Sequence, residues 1–364
     1  MNQKEQLKYK NQKTGFKKPL KRILVYFLYY TRLYMVIEWI KNKNDGENNL
    51  VILMYHTVSD RTNDNRVPIN KTTISKANFS KQMKYLNRAC SVLPLDSAIK
   101  KLYSNKLPKN AVVVTIDDGF KGNLNVGLPI LKRFNIPTTV FLTSSLIGNR
   151  HSNTSIKIRN GIEMATKTEL NALITRLTDE INEEVISEIN SMINNGSKSS
   201  VVEKIEKYIS GLNEIKRKSI KERIIKELNL EDIFRLPDDE MLTWEDVKFM
   251  SENGITFGAH TMSHPILSKV PIEMAEKEIS GSKLEIEKNF KKPVNYFAFP
   301  NGLKGDYNSE HLALLEKHGF YAGFSVGYGF NNANSNRFDL VRIPMGDFSV
   351  PSFVMKLKGI MSSP

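Results

Sequence analysis

The sequence predicts an α/β protein built on parallel strands that are buried on both faces. Three observations lead there. Residues 111–116 (AVVVTI) are a continuous, mostly β-branched run without the alternation of a strand that faces water. A second such run over 138–142 follows a helical stretch over 126–134, the strand–helix–strand order of a right-handed crossover. Polar residues able to do chemistry, among them His56, Asp117, His260 and Asn301, fall where these apolar runs end, the edge at which parallel α/β folds build their sites.

The elements follow in order. Residues 50–55 (LVILMY) read as a buried strand ending at His56, and 79–87 and 95–103 have helical periodicity. The 111–116 strand stops at Asp117-Asp118-Gly119, and the 138–142 strand comes after the next helix. Residues 255–258 form a strand ending at His260, 272–290 a charged helix, and 296–299 a strand ending at Pro300-Asn301-Gly302. Strands over 321–326 and 339–343 close the series, with Arg342 at the end of the last.

Between 150 and 240 the texture changes to long, charged, amphipathic patterns over 167–193 and 200–228, separated by Asn194-Asn195-Gly196. This segment reads as a helical insertion with solvated charged faces; a substrate lid or a dimerisation arm would have the same pattern. The catalytic domain is expected over 49–364, with 150–240 inserted in it. Residues 1–48 form a separate basic segment that ends in a polar linker over 42–49.

In that segment Lys17, Lys18, Lys21 and Arg22 precede an apolar run over 23–40 that Arg32 and Glu38 interrupt. A helix over about 20–40 would gather Lys18, Lys21, Arg22, Tyr29 and Arg32 on one side. The run is near the ~20 apolar residues that spanning requires, but a mid-span Arg costs roughly 2.5–3.5 kcal/mol. It fits a helix lying in a membrane interface, a signal anchor, or a helix packed on the catalytic domain. No small-residue cleavage site follows it, which argues against a removed signal peptide. A spanning helix would leave the catalytic domain extracytoplasmic; the cytoplasmic face is the alternative.

The net charge is +14, and residues 1–50 carry eleven Lys/Arg against four Asp/Glu. Half of the surplus thus precedes or borders the apolar run, which points to a membrane surface and not to a nucleic-acid reader. The single cysteine, Cys90, excludes an internal disulfide and a cysteine metal cluster.

Two motifs carry chemistry. His260-Thr261-Met262-Ser263-His264 spaces two imidazoles so that both can reach one ion. Asp117-Asp118 places adjacent carboxylates at another strand end, where a compensating cation is expected. Asp118, His260 and His264 make a donor set that suits one divalent ion with an open position, Zn²⁺ foremost, with Co²⁺, Ni²⁺ or Fe²⁺ also fitting. Asp117 is left over as a candidate general base.

Thr115-Ile116-Asp117-Asp118-Gly119 resembles the TFDDG motif of NodB-type polysaccharide deacetylases, carbohydrate esterase family 4. His260–His264 resembles that family's H-[ST]-x-x-H motif, and the order and the lead-in Leu242-Thr243-Trp244-Glu245-Asp246 are also similar. The resemblance covers roughly residues 50–345, less the insertion. It implies a distorted (β/α)₇ barrel, a metal held by Asp118, His260 and His264, Asp117 as base, and removal of N-acetyl groups from a GlcNAc-type glycan with release of acetate. Phe297–Gly302 departs from the family's R-x-x-P-Y: Ala298 and Asn301 replace its Arg and Tyr. The Asn301 N–H can still serve an oxyanion, and Arg342 is a candidate for the missing charge. The late Leu-x-x-His motif is not visible. Leu53-Met54-Tyr55-His56 instead resembles the poly-N-acetylglucosamine deacetylase branch, which implies that His56 is the general acid. O-deacetylation of a carbohydrate, or silent binding of glycan at a membrane, are the alternatives to N-deacetylation.

Overall fold

The structure, a computed structural model, describes residues 22–37, 49–60, 73–148, 158, 161–162, 165–196, 198–230 and 241–360. The basic leader up to Lys21 and the expected linker lie outside the described residues, apart from Asn49.

β1 (Leu50–Tyr55) leads to two short strands, β2 (Thr57–Ser59) and β3 (Thr73–Ser75), that pair with each other in parallel. α1 (Lys76–Ala89), β4 (Ser91–Val92) and α2 (Leu95–Tyr103) precede β5 (Ala111–Ile116). A wide helical turn over Asn123–Gly127 runs into α3 (Leu128–Arg133), and β6 (Thr138–Leu142) follows. Four helices come next: α4 (Lys167–Arg176), α5 (Glu183–Asn194), α6 (Lys198–Ser210) and α7 (Glu214–Glu227). The chain continues through α8 (Trp244–Glu252), β7 (Thr256–Ala259), α9 (Ile272–Phe290), β8 (Tyr296–Ala298), α10 (Ser309–Lys317), β9 (Ala322–Val326), β10 (Leu340–Pro344) and α11 (Val350–Leu357).

Seven strands, β1, β5, β6, β7, β8, β9 and β10, pair in parallel in that order, and β10 returns to β1. This is the expected (β/α)₇ barrel. Its seams are uneven. β1 and β5 are in register over six residue pairs, whereas β7 meets β8 only at Ala259↔Phe297. β4 lies beside the first two residues of β5, below the point where β6 begins to pair.

Strand alternation divides the barrel's apolar residues into two cores. Leu50, Ile52, Ala111, Val113, Phe141 and Phe324 gather with Leu95, Ala98, Ile99 and Leu102 of α2, which closes the barrel floor. Leu53, Val112, Val114, Ile116, Leu142 and Phe297 face outward into the layer of surrounding helices. Each such side chain, fully buried, contributes about 1.5–3 kcal/mol.

The four helices between β6 and α8 have their own core. Leu170, Leu173 and Ile174 of α4 meet Ile189 and Ile193 of α5, Val201 and Ile205 of α6, and Ile220 and Ile224 of α7. The expected pair of long helices is instead four. The 167–193 pattern breaks at Leu177, and Asn182 restarts it by accepting a hydrogen bond from the Val185 N–H. Asn213 does the same for α7 through the Lys216 N–H. Apolar spacing carries across both breaks, so periodicity alone merges what the Asn caps separate.

The expected continuous N-terminal helix is also divided. Residues 22–30 and 33–37 are helical, and Arg32 between them is left-handed, with φ 60°. Val25 is buried against the outer core, with Tyr26, Leu28, Tyr29 and Tyr34 packed around it.

Candidate active site

The site is the inward alternation carried past the apolar floor. Steps of two from Leu50 and Ile52 reach His56, steps from Ala111 and Val113 reach Thr115 and Asp117, and one step from Leu340 reaches Arg342. Gly258 sets the same parity on β7. A Cβ there would lie 2.5 Å from the Phe141 ring, inside the barrel, and His260 is two residues further on.

Asp117 is 2% exposed and Arg342 is fully buried. The guanidinium grips the carboxylate with two bonds, Nη1 to Oδ1 at 2.6 Å and Nη2 to Oδ2 at 2.8 Å. Arg342 lies mid-strand in β10, not at its end, and its guanidinium sits 5.2 Å from the Phe141 ring centroid. Burial alone would raise the Asp117 carboxyl, but the Arg342 charge and its hydrogen bonds hold it below the usual carboxylate range. Asp117 is therefore ionised at neutral pH and fixed in direction.

Asp118 turns toward the same space because its backbone is left-handed, with φ 74°. Gly119 follows with φ 94°, and a Cβ there would meet Ile147 and Leu142 at 2.9 Å, so the turn requires glycine. Asp118 Oδ1 lies 3.6 Å from His260 Nε2 and 3.4 Å from His264 Nε2. One ligand atom from each of the three falls within 4.8 Å of the others. The His260 Nδ1–H donates to the Ala298 carbonyl at 2.7 Å, which leaves the Nε2 lone pair facing Asp118. Burial pushes His260 down to about 3, so the ring is neutral, as a metal ligand must be. Donor types, spacing and tautomer all fit one divalent cation.

The 260–264 loop is held from outside the motif. Thr261 and His264 are left-handed, with φ 63° and 61°, and the Thr261 hydroxyl accepts the His264 N–H at 3.0 Å. Glu278 on α9 reaches up beneath the loop. Its Oε2 accepts the N–H groups of Met262 and Ser263, each at 2.8 Å, and its Oε1 accepts the Ser263 hydroxyl at 2.7 Å. Gly281 lets the helix approach this closely, since a Cβ there would lie 2.3 Å from the Met262 sulfur. Glu278 escapes sequence reasoning. Its one signal is a carboxylate on the apolar face shared by Ala275, Ile279, Ser282 and Ile286.

His56 is half-buried. Its Nδ1 has no hydrogen-bond partner among the described residues. The fully buried Asn123 fixes its backbone, donating to the His56 carbonyl at 2.8 Å and accepting the Val58 N–H at 3.3 Å. Asn301 is exposed and left-handed, with φ 56°, three residues beyond the end of β8. Ala298 lines the floor, its carbonyl oriented by the β8–β9 pairing toward His260. The charge absent from position 298 thus arrives on Asp117 from β10.

A sequence profile described as polysaccharide deacetylase matches residues 104–202 and 203–323, more than half of the chain. The chain belongs to the polysaccharide deacetylase family. It is accordingly a hydrolase. YxkH of Bacillus subtilis, named for the same family, is 26% identical over 307 residues, covering 84% of this chain and 74% of that protein. A Staphylococcus aureus poly-beta-1,6-N-acetyl-D-glucosamine N-deacetylase is 22% identical over 322 residues, covering 86% of this chain and 84% of its own. Among solved structures, the Streptococcus pyogenes deacetylase PplD in complex with acetate aligns with a TM-score of 0.54 at 18% identity. That alignment covers 85% of this chain and 98% of PplD. IcaB from Ammonifex degensii aligns with a TM-score of 0.53 at 16% identity, over 85% and 97% of the two chains. These two share the fold.

Proposed function

We propose that this deacetylase removes N-acetyl groups from a GlcNAc-type glycan of the cell envelope, using one Zn²⁺ ion. The observation that carries the reading is the buried, doubly bonded Asp117–Arg342 pair standing beside the Asp118–His260–His264 donor set. The cation held by those three residues would supply Lewis acidity to the acetyl carbonyl and to a water molecule. Asp117, kept ionised and aimed by Arg342, accepts the water's proton. The Asn301 N–H donates to the developing oxyanion, and His56 passes a proton to the departing amine. Acetate and a free amino sugar result. The relatives' substrate supports an amide over an ester, and a His₂–carboxylate set with an open position is one that catalytic zinc takes.

The polysaccharide substrate of the family favours an extracytoplasmic catalytic domain, and the basic, apolar N-terminal segment favours a membrane surface as its location. Acetate release should be measured on poly-N-acetylglucosamine, chito-oligosaccharides and an O-acetylated glycan, before and after chelation, with single metals restored. Release from an N-acetylated glycan that chelator stops and Zn²⁺ restores is the expected result. Release from the ester alone, or release that chelator leaves unchanged, would overturn the reading.

A further inference from the structure

The described surface exposes thirteen large apolar side chains, and seven of them lie between Ile23 and Val36. Such clustering is not the scatter of single apolar residues that any surface shows. Ile23, Phe27 and Tyr30 stand 65%, 54% and 72% exposed on successive turns of the first helical stretch. The opposite side of the same stretch is already occupied. Val25 is 2% exposed, Tyr29 stacks on Tyr34, and Tyr26 and Tyr34 lie close to Ser349 and Tyr85. Tyr85 lies on α1 and Ser349 caps α11, so the segment is fastened to the barrel's flank. A surface helix with one face docked ordinarily turns polar residues to water. This one is apolar on both sides.

The described stretches over 22–30 and 33–37 are separated by the left-handed Arg32, which interrupts the helix in the middle of the apolar run. No described helix is long and apolar enough to cross a membrane. Charge selects the occupant. Arg22 and Arg32 border the face, and Lys17, Lys18 and Lys21 precede it in sequence. A second copy of the chain would bring like charges together, whereas anionic headgroups around an apolar interior complement both properties.

We propose that the outward face of residues 22–37 is a docking surface for an anionic lipid bilayer, lying within one leaflet's interface. This rests on the membrane location proposed above and is independent of the deacetylation chemistry. The domain is thereby held on the bilayer through α1 and α11, and the segment works as an adaptor with one side for protein and one for lipid.

The full chain tests this by co-sedimentation with vesicles of phosphatidylcholine alone or mixed equally with phosphatidylglycerol. The wild type should partition onto the mixed vesicles and come off at high salt. The double variant Ile23→Glu, Phe27→Glu should bind them on the order of 10-fold more weakly or worse. Its acetate release from a soluble N-acetylated oligosaccharide should be unchanged, because neither side chain touches the barrel site. Equal sedimentation of variant and wild type would overturn the proposal, as would binding that salt leaves intact. A dimer that the variant dissociates would assign the face to a second copy instead. Loss of acetate release from every glycan would remove the chemistry and leave the vesicle result standing.

Discussion

The floor and the rim of the barrel are built from the same inward positions of the same strands, yet they hold opposite chemistry. At the floor Leu50, Val113, Phe324 and Leu340 are at most 1% exposed, and α2 closes over them. At the rim Asp117, His260 and Arg342 are at most 2% exposed. Burial therefore does not distinguish the two ends; compensation does. The Asp117 carboxylate meets its guanidinium, and the neutral His260 ring donates to its carbonyl. The rim also carries left-handed Asp118, Thr261, His264 and Asn301, a backbone cost that the packed floor below can support.

The largest expected effect lies at the rim. Asp117→Asn keeps the shape of the base and removes its basicity. Its kcat should fall about 10²–10⁴-fold while the affinity for Zn²⁺ changes little, because Asp118, His260 and His264 remain. Acetate-release kinetics alongside a metal titration will read both. Full turnover in this variant would remove Asp117 from the base role and leave the rim's buried pair as structure only.

The floor should respond in the opposite way. Phe324 packs its ring 5.5 Å from that of Phe141 and 6.0 Å from that of Tyr296. Phe324→Ala should cost about 3–5 kcal/mol of stability, seen as a lower urea midpoint. Where the variant is folded, its kcat should stay within about twofold of wild type, since no rim partner is lost. A fall in kcat that tracks the fall in stability would mean the two ends are not separable.

Much of the rim was legible from sequence because metal chemistry restricts residue types and spacing together. Asp117-Asp118 and the His260–His264 pair sit at the ends of apolar runs, and the strands over 50–55, 111–116 and 138–142 have the bounds that their composition indicated. What escaped depends on tertiary pairing. Glu278 lies 14 positions after His264 in a helix that reads as merely charged, and Asn123 lies in a turn with no periodicity at all. Both act on backbone groups of residues distant in sequence, and no local pattern encodes that. The break at Arg32 was hidden for another reason. An arginine is a good helix former, and only the completed packing of Tyr29 against Tyr34 shows the chain turning there.

Glu278 provides the intermediate effect. Glu278→Ala leaves two loop N–H groups without their acceptor, so the loop loses its hold on His264. Zn²⁺ affinity should weaken about 10–100-fold in a chelator-competition assay, the usual range for support behind a ligand. Glu278→Gln, which retains an acceptor oxygen, should lie between the variant and wild type. Unchanged affinity in both variants would show that the rim's own bonds are enough to hold the ligands.

The smallest effect tests the rule by a buried cation away from the rim. Lys356 on α11 is 5% exposed and has no carboxylate partner among the described residues; its ammonium lies 4.6 Å from the Phe348 ring centroid and 5.3 Å from that of Tyr328. Burial lowers it from 10.5 to about 8. The sign follows from proton counts. Below about pH 8 both folded and unfolded chains hold the proton, so the cost of burying the charge is fully present. Between 8 and 10.5 the folded chain releases it first, the unfolded chain binds more protons, and stability rises with pH. Lys356→Met should therefore be more stable than wild type near pH 7, by about 1 kcal/mol after allowing for the ring contacts and remaining hydration. Urea unfolding of both proteins across this range should show that advantage shrinking as pH rises. A constant advantage would locate the cost in packing and not in charge, and a variant less stable at neutral pH would mean that the two rings compensate a buried cation as fully as Asp117 compensates Arg342.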